Sequence, residues 1–188
     1  MNRREFLQTT AAVGAVICSG SLLLPQDALA VTNMADFWLK SRFLEARRAD
    51  TGEKQLIRFY DQQYGYDPYG YRAACWLLRD AKDRNAMVSV DIGLLNLVYA
   101  IQEWARMSGR TNPLITVNSA YRTPRRNAVI EGAARHSLHI QGRAIDITMR
   151  GVDLRQIEAM AKYFKVGGVG IYRSFIHLDT GRVRSWRG

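Results

Sequence analysis

All three histidines of this 188-residue chain lie in its second half, and two of them are followed by an aspartate. His139 precedes Asp146, with Gly142 between them to permit a turn, and His177 precedes Asp179. Residues two apart in a strand point to one face, so a strand through His177 and Asp179 brings their side chains together. Zinc accepts two imidazoles and one carboxylate, and the set His139, Asp146 and His177 leaves a fourth position open for water.

Asp146 stands where a carboxylate is unusual, because Ile145 and Ile147 flank it in an apolar run. A carboxylate next to a core is costly unless it is paired or binds a metal. Pairing with Arg122 or Arg143 would satisfy Asp146 without any metal, and a lone histidine is more often a surface or core group than a ligand. The spacing alone therefore leaves a metal site and a set of structural contacts both open.

The elements that position these residues are predicted from apolar periodicity and turn residues. Predicted helices come first and most predicted strands come last, which indicates an α+β fold with a small antiparallel sheet and flanking helices. The predicted strands are Arg42–Arg48 and Lys54–Tyr60, joined as a hairpin, then Leu114–Asn118, Gly142–Thr148, Gly168–Tyr172 and Phe175–Asp179. The predicted helices are Tyr71–Lys82, Ile92–Met107 after the cap Asp91, Arg125–Gly132, and one from the cap Asp153 to Lys165.

The first thirty residues have the order of an export signal. Arg3 and Arg4 precede an uncharged apolar run, which ends in the small residues Ala28 and Ala30 of a cleavage site. The paired arginines resemble a twin-arginine signal. We therefore expect residues 1–30 to be removed on export to the periplasm, with no stable membrane insertion afterwards.

The remaining length suits a single domain with its own core. Within residues 31–188, we expect residues 31–70 to form an N-terminal hairpin and loop, and residues 114–188 to form the half that holds the metal. The formal net charge of +10 at pH 7 implies an anionic partner, and an exported protein meets a carboxylate-rich cell wall rather than nucleic acid. Beyond the signal only Cys75 remains, so no internal disulfide can form there.

Several motifs together resemble a known family. The segment Ser137–Asp146 resembles the SxHxxGxAxD signature of zinc D-Ala-D-Ala peptidases, which have the hedgehog-like fold. Ser119–Arg122 with Asn127 resembles the upstream SxYR…N element of that family. Gly167–Tyr172 and Phe175–Gly181 resemble its closing segments, and the ordering is most similar to the murein endopeptidases within it.

The resemblance continues outside the metal-site half. Murein endopeptidases of this kind carry a Thr-Gly-Glu turn and a Leu-Leu-Arg-Asp helix, which Thr51–Glu53 and Leu77–Asp80 match, and Trp186 stands near the end as theirs does. The resemblance thus covers nearly all of the chain after the signal. It implies a hedgehog-like zinc peptidase fold and a periplasmic enzyme.

The resemblance also assigns roles to residues. His139, Asp146 and His177 match the ligands of one zinc ion. Arg122 matches the arginine that binds substrate and polarises the carbonyl, work that suits an always-charged guanidinium. Ser137 matches a serine that contacts substrate.

The general base is the position where this chain departs from the family. Many relatives have an acidic residue or a histidine two or three residues before the last ligand, where this chain has Phe175 and Ser174. Asp179 is the substitute that the strand spacing suggests, and an equally good alternative is that it only orients His177. His136 is a further candidate for the base.

The implied function is hydrolysis of the peptide cross-links of peptidoglycan, with a zinc-bound water as the nucleophile and peptide stems as the partners. The murein endopeptidases that the chain resembles favour links between two diaminopimelate residues. Two alternatives remain open: a D-Ala-D-Ala carboxypeptidase, and a non-catalytic wall-binding domain with a structural zinc, which the missing base would suit. The sequence does not indicate an oligomeric state.

Overall fold

The structure, a computed structural model, describes residues 34–132 and 134–188. In these ranges the chain forms five α-helices, one 3₁₀ helix and eight strands. The elements in chain order are α1 (Met34–Leu39), β1 (Arg42–Arg48), β2 (Lys54–Asp61), β3 (Gly65–Tyr66), α2 (Pro68–Leu77), α3 (Ile92–Met107), β4 (Ile115–Ser119), α4 (Pro124–Ala128), the 3₁₀ helix (Leu138–Gln141), β5 (Ala144–Met149), α5 (Leu154–Phe164), β6 (Gly168–Ile171), β7 (Ile176–Asp179) and β8 (Arg184–Arg187). The predicted export signal at residues 1–30 lies outside the described residues. Among the described helices, none has the length and apolarity needed to cross a bilayer.

The eight strands form one mixed sheet in the order β3-β2-β1-β4-β5-β7-β6-β8. Most neighbouring strands are antiparallel, but β1 pairs with β4, and β6 with β8, in parallel. The predicted α+β class is confirmed, whereas the prediction of a small antiparallel sheet is wrong. The sheet is larger than predicted because the N-terminal hairpin of β1 and β2 joins the later strands through β4. Strand β8 was not predicted because its sequence, Arg-Ser-Trp-Arg, lacks the apolar alternation that predicts a strand.

The core lies on one face of the sheet, under helices α3 and α5. Helix α3 packs against β1 and α5, and α5 packs against β6 and β7. Ile145 and Ile147 of β5 and Ile176 and Leu178 of β7 are fully buried in this layer. Because side chains alternate along a strand, Asp146, which lies between the two isoleucines of β5, points to the opposite face.

Aspartate caps decide where two helices begin. Helix α5 starts after Asp153 as predicted, in a capping box with Gln156. Helix α2 starts at Pro68, before the predicted Tyr71, because the Asp67 side chain accepts hydrogen bonds from the first turn and proline suits that turn. Asp67 and Pro68 are thus a helix start signal inside residues 31–70, which were predicted to form only a hairpin and a loop.

Strand register places five residues side by side across the sheet. Along β4, β5, β7, β6 and β8 this row reads Ser119, Asp146, His177, Gly170 and Trp186. Directly opposed residues carry their side chains on the same face. The register therefore brings two of the predicted ligands together, and Trp186 is the next side chain after His177 because Gly170 has none.

Candidate metal centre

The third predicted ligand, His139, comes from the 3₁₀ helix that lies beside β5. Ser137 caps this helix, and its hydroxyl oxygen accepts a hydrogen bond from the His139 amide at 3.3 Å. Gly142 ends the helix at a φ of 64°, and a Cβ at that position would lie 2.7 Å from Cγ1 of Val88. A glycine is therefore required for the turn that carries His139 to Asp146.

Three donor atoms converge on the face of the sheet opposite the core. Nε2 of His139 lies 3.2 Å from Nδ1 of His177, and Oδ1 of Asp146 lies 2.8 Å from that Nδ1 and 3.3 Å from that Nε2. Zinc bonds of about 2.0–2.1 Å in a tetrahedron place neighbouring ligand atoms about 3.3 Å apart. The triangle of donor atoms therefore matches one face of a zinc tetrahedron.

The outer nitrogen of each imidazole is held by an acceptor. Nδ1 of His139 donates to the carbonyl oxygen of Ala120 at 2.6 Å, and Nε2 of His177 donates to Oδ2 of Asp179 at 3.1 Å. Each ring thus presents its other nitrogen to the centre of the site. Such outer partners fix the tautomer and the orientation of metal-binding histidines.

Burial and charge act differently on the three groups. Burial lowers the pKa of His139, which is 2 % exposed. Burial alone would raise the pKa of Asp146, but its hydrogen bonds with His139 and His177 outweigh burial and hold that pKa well below its usual range. Burial also opposes charge on His177, yet its hydrogen bonds to Asp146 and Asp179 raise its pKa. At neutral pH the site therefore offers an anionic carboxylate and a neutral His139 ring to a cation.

Arg122 lies against the outer oxygen of Asp146. Its Nη2 donates to Oδ2 of Asp146 at 2.6 Å, and its Nε donates to Oγ of Ser119 at 2.8 Å. The sequence left open whether Asp146 pairs with Arg122 or belongs to a metal site. Both contacts are present, since Arg122 uses Oδ2 of Asp146 and the donor triangle uses Oδ1. Among the described residues, Nη1 of Arg122 has no hydrogen-bond partner.

The Asp179 carboxylate is fully buried, and both of its oxygens accept hydrogen bonds. Oδ1 accepts from the amides of Gly168 and Gly181 at 2.9 and 2.8 Å, while Oδ2 accepts from His177 and from Nη2 of Arg184 at 2.7 Å. Burial would raise its pKa, but these bonds, led by the one from His177, lower it far below the ordinary value. This geometry favours an orienting role over proton transfer.

Strand β8 closes the other side of His177. The Trp186 indole lies 5.3 Å from the His177 ring, centroid to centroid, and donates from Nε1 to the hydroxyl of Tyr172 at 3.1 Å. A Cβ on Gly170 would lie 2.5 Å from the indole. Gly170 therefore makes the space in which the Trp186 indole packs beside the His177 imidazole.

The loop that carries Arg122 is anchored to the end of helix α2. The buried Asp80 carboxylate accepts from the Thr123 amide at 3.0 Å and pairs with Arg126 at 3.1 Å. The Tyr121 amide also donates to the carbonyl oxygen of Leu78 at 3.0 Å. The Leu77–Asp80 motif thus has a defined structural role in positioning this loop.

The predicted site residues divide into two groups. His139, Asp146, His177, Arg122 and Asp179 are brought together, with Ser137 adjacent as a helix cap. His136 is exposed in the turn before the 3₁₀ helix and has no hydrogen bond within the described ranges. Three groups that support the site were not predicted. The Ala120 carbonyl, which holds His139, is a backbone group and has no sequence signal. Asp80 lies in the Leu77–Asp80 motif, and Arg184 lies between the Phe175–Gly181 segment and Trp186.

Comparison with known proteins gives a family match over most of the chain. Residues 38–186 match the family described as peptidoglycan L,D-endopeptidase MepK. The chain is 35% identical to a probable peptidoglycan L,D-endopeptidase MepK of Haemophilus influenzae, across 100% of this chain and 96% of that protein. It is 31% identical to the peptidoglycan L,D-endopeptidase MepK of Escherichia coli K12, across 98% of this chain and 97% of that protein. No solved structure matches the chain at comparable significance.

Proposed function

The chain belongs to the peptidoglycan L,D-endopeptidase MepK family, and on this premise we propose that it is a zinc-dependent enzyme that hydrolyses an L,D peptide bond in peptidoglycan cross-links. Membership makes it a peptidase of the murein endopeptidase class. The carboxypeptidase and non-catalytic alternatives have no support in the comparisons, because the matched family and both relatives are described as endopeptidases.

The donor triangle is the observation that carries the zinc assignment. The triangle consists of two imidazoles, from His139 and His177, and the carboxylate of Asp146, at the spacing of zinc ligands. The outer nitrogen of each imidazole is already held by an acceptor. Zinc in such a site would lower the pKa of a coordinated water to about 7 and polarise the scissile carbonyl. The three residues would hold the ion and leave one coordination position for the reacting groups.

Arg122 is proposed to bind the substrate beside the metal. Its Nε and Nη2 are fixed by Ser119 and Asp146, so the guanidinium is already oriented before substrate arrives. A guanidinium stays charged at all working pH values and can stabilise negative charge that develops on the carbonyl oxygen. Ser137 is proposed to contact the substrate from the start of the 3₁₀ helix.

Proton transfer needs a group with a free lone pair near the reacting water. The contacts of Asp179 favour the alternative in which it holds Nε2 of His177, because both of its oxygens are already engaged. His136, three residues before His139, is the remaining candidate for the base. Comparing His136→Gln with the wild type at saturating zinc tests this role: a kcat loss of about 10²–10⁴-fold supports it, and an unchanged kcat removes it.

The signal-like first thirty residues and the peptidoglycan substrate both suit an exported, periplasmic protein, and we propose the twin-arginine route for its export. On the motif match we further propose that residues 31–188 form one domain and that its mixed sheet is of the hedgehog-like type.

The bond that is cut can be identified by mass spectrometry of muropeptides after purified protein has digested sacculi. Loss of dimers cross-linked through an L,D bond, with appearance of the matching monomers, is the expected result. Release of terminal D-alanine with dimers intact would support the carboxypeptidase alternative instead. Binding to sacculi without any new product would support the non-catalytic one.

A further inference from the structure

A second concave surface lies at the end of strands β5 and β7, beyond the metal centre. This cleft has a volume of about 1080 Å³, and its wall includes the N-terminal turn of α3 and the residues that follow β7. One side is aromatic and apolar, with Tyr66, Tyr71 and Val166. Ligand-binding clefts are typically of about this size and combine apolar walls with placed polar groups.

The charged side chains of the cleft are mostly cationic. Arg143, Lys165 and Arg182 line it, against the single carboxylate of Asp91. Asp91 is occupied by the amide of Gly93, whose helix it caps, and by Thr180 and Arg143. The cleft therefore presents a positive field to a ligand.

The three cations differ in how they are held. Arg143 is fixed by its contacts with Asp91 and the Thr180 carbonyl oxygen. Lys165 and Arg182 are exposed and have no salt-bridge partner in residues 34–132 or 134–188. One pre-oriented cation and two available ones suit a ligand that carries more than one carboxylate.

The cleft and the donor triangle lie near the same end of strands β5 and β7, on opposite faces of the sheet. Thr180 lines the cleft and follows the proposed ligand His177 by three residues, so its side chain points to the face opposite that of His177. Gln141 of the cleft is likewise two residues from His139. A peptide held at the metal would therefore reach the cleft around the end of β5 and β7.

We propose that this cleft binds the free carboxylates of the peptide stem on one side of the bond that is cut. Peptidoglycan stems combine aliphatic chains with carboxylates, which the apolar side and the cations of the cleft would respectively receive. The inference rests on the proposed function, because that function supplies a peptide stem as the substrate. It also gives a local role to part of the +10 charge of the chain.

The test compares two double variants with the same charge change. Lys165→Asn with Arg182→Glu removes the available cations of the cleft, and asparagine tolerates the positive φ of 51° at position 165. Lys40→Asn with Arg155→Glu is the matched control, since both residues are exposed and lie outside the cleft lining. Thermal melting checks that both variants are folded.

The measured quantity is the Kd of each protein for an uncross-linked stem peptide, with its carboxylates either free or amidated. We expect the cleft variant to weaken binding of the free-carboxylate stem about tenfold, with little effect on the amidated stem or in the control variant. Equal weakening in both variants would indicate general charge attraction and overturn the proposal, as would unchanged affinity in the cleft variant.

Cleavage of cross-linked muropeptides by the same proteins separates this inference from the proposed function. A raised KM with unchanged kcat in the cleft variant supports the cleft. If the wild type cuts cross-links and the cleft variant has the same KM as the wild type, only the cleft inference fails. If wild type cuts none while stem binding still follows the cleft charges, the proposed function fails and the cleft stands as a binding site.

Discussion

At the scale of single residues, the site depends on what holds the ligands as much as on the ligands themselves. His139 is oriented by a carbonyl oxygen, and His177 is oriented by Asp179, which is in turn held by Arg184 and two glycine amides. These contacts fix both imidazoles, and outer partners of this kind raise the metal affinity of histidine ligands in metal sites.

Asp179→Asn tests the orienting role of this carboxylate. We expect zinc affinity to fall by about 10–100-fold, with much of the activity restored by excess zinc, because His177 would lose a charged acceptor. A general base would behave differently: turnover would fall by about 10²–10⁴-fold and zinc would not restore it. Activity measured across a zinc titration distinguishes the two results.

Arg184→Gln tests the next contact outward. The change removes the ion pair with Asp179 but leaves the two amide hydrogen bonds and His177 in place, so zinc affinity should fall by less than in Asp179→Asn. Arg184→Lys should recover part of the loss. Arg173→Gln is the control, since Arg173 is exposed and no salt bridge holds it in the described structure. Equal zinc affinity in Arg184→Gln and wild type would show that this contact does not support the site.

At the scale of elements, the loop between β4 and α4 carries Arg122, and the segment directly after helix α2 holds that loop in place. Asp80, 1 % exposed, is the main anchor through the Thr123 amide and Arg126. Removing a buried acceptor leaves its donor unsatisfied, which is more costly than losing an exposed contact.

Asp80→Ala should therefore lower the free energy of unfolding by about 1–3 kcal/mol and also reduce activity, since Arg122 would lose its fixed position. Asp80→Asn keeps an acceptor oxygen for the Thr123 amide and should lose less on both counts. Denaturant unfolding and kcat/KM measure the two effects. Full activity in Asp80→Ala, with stability lowered as expected, would show that the anchor does not position Arg122.

The elements that were predicted correctly are those with a strong local signal. Helix α3 has apolar residues at helical spacing after the cap Asp91, and its bounds agree with the prediction. Strand β8 was missed because Arg184 and Arg187 have no apolar alternation, and its place in the sheet depends on the distant β6. Pairings between segments far apart in the chain, such as β1 with β4, have no local signal at all.

At the scale of the whole molecule, the mixed sheet has helices α3 and α5 on one face and the donor triangle of His139, Asp146 and His177 on the other. His139, Asp146 and His177 could be proposed as metal ligands from the sequence because their spacing and the motif around them are local. The orientation of the His139 ring was not predicted, because it depends on the carbonyl oxygen of Ala120. For His177 the sequence left an orienting role of Asp179 open, but the support of Asp179 by Arg184 arises only in the folded chain. The family resemblance and the murein endopeptidase function are confirmed by the comparisons.

The proposed export by the twin-arginine route can be tested by changing the signal-like segment of the full chain. Arg3→Lys with Arg4→Lys should leave the precursor in the cytoplasm, because a twin-arginine receptor reads the arginine pair. Fractionation followed by immunoblotting measures the distribution. Normal periplasmic yield of the double variant would indicate the general secretory route instead.

The central claim is that one zinc ion, held by His139, Asp146 and His177, is required for cross-link hydrolysis. The most direct measurement is zinc titration of chelator-stripped protein, with bound metal and muropeptide cleavage followed in the same samples. We predict that cleavage is absent without zinc and saturates at about one zinc per chain, and that the triple alanine variant of these residues binds none. Full cleavage by the stripped protein, or full zinc binding by the triple variant, would contradict the account.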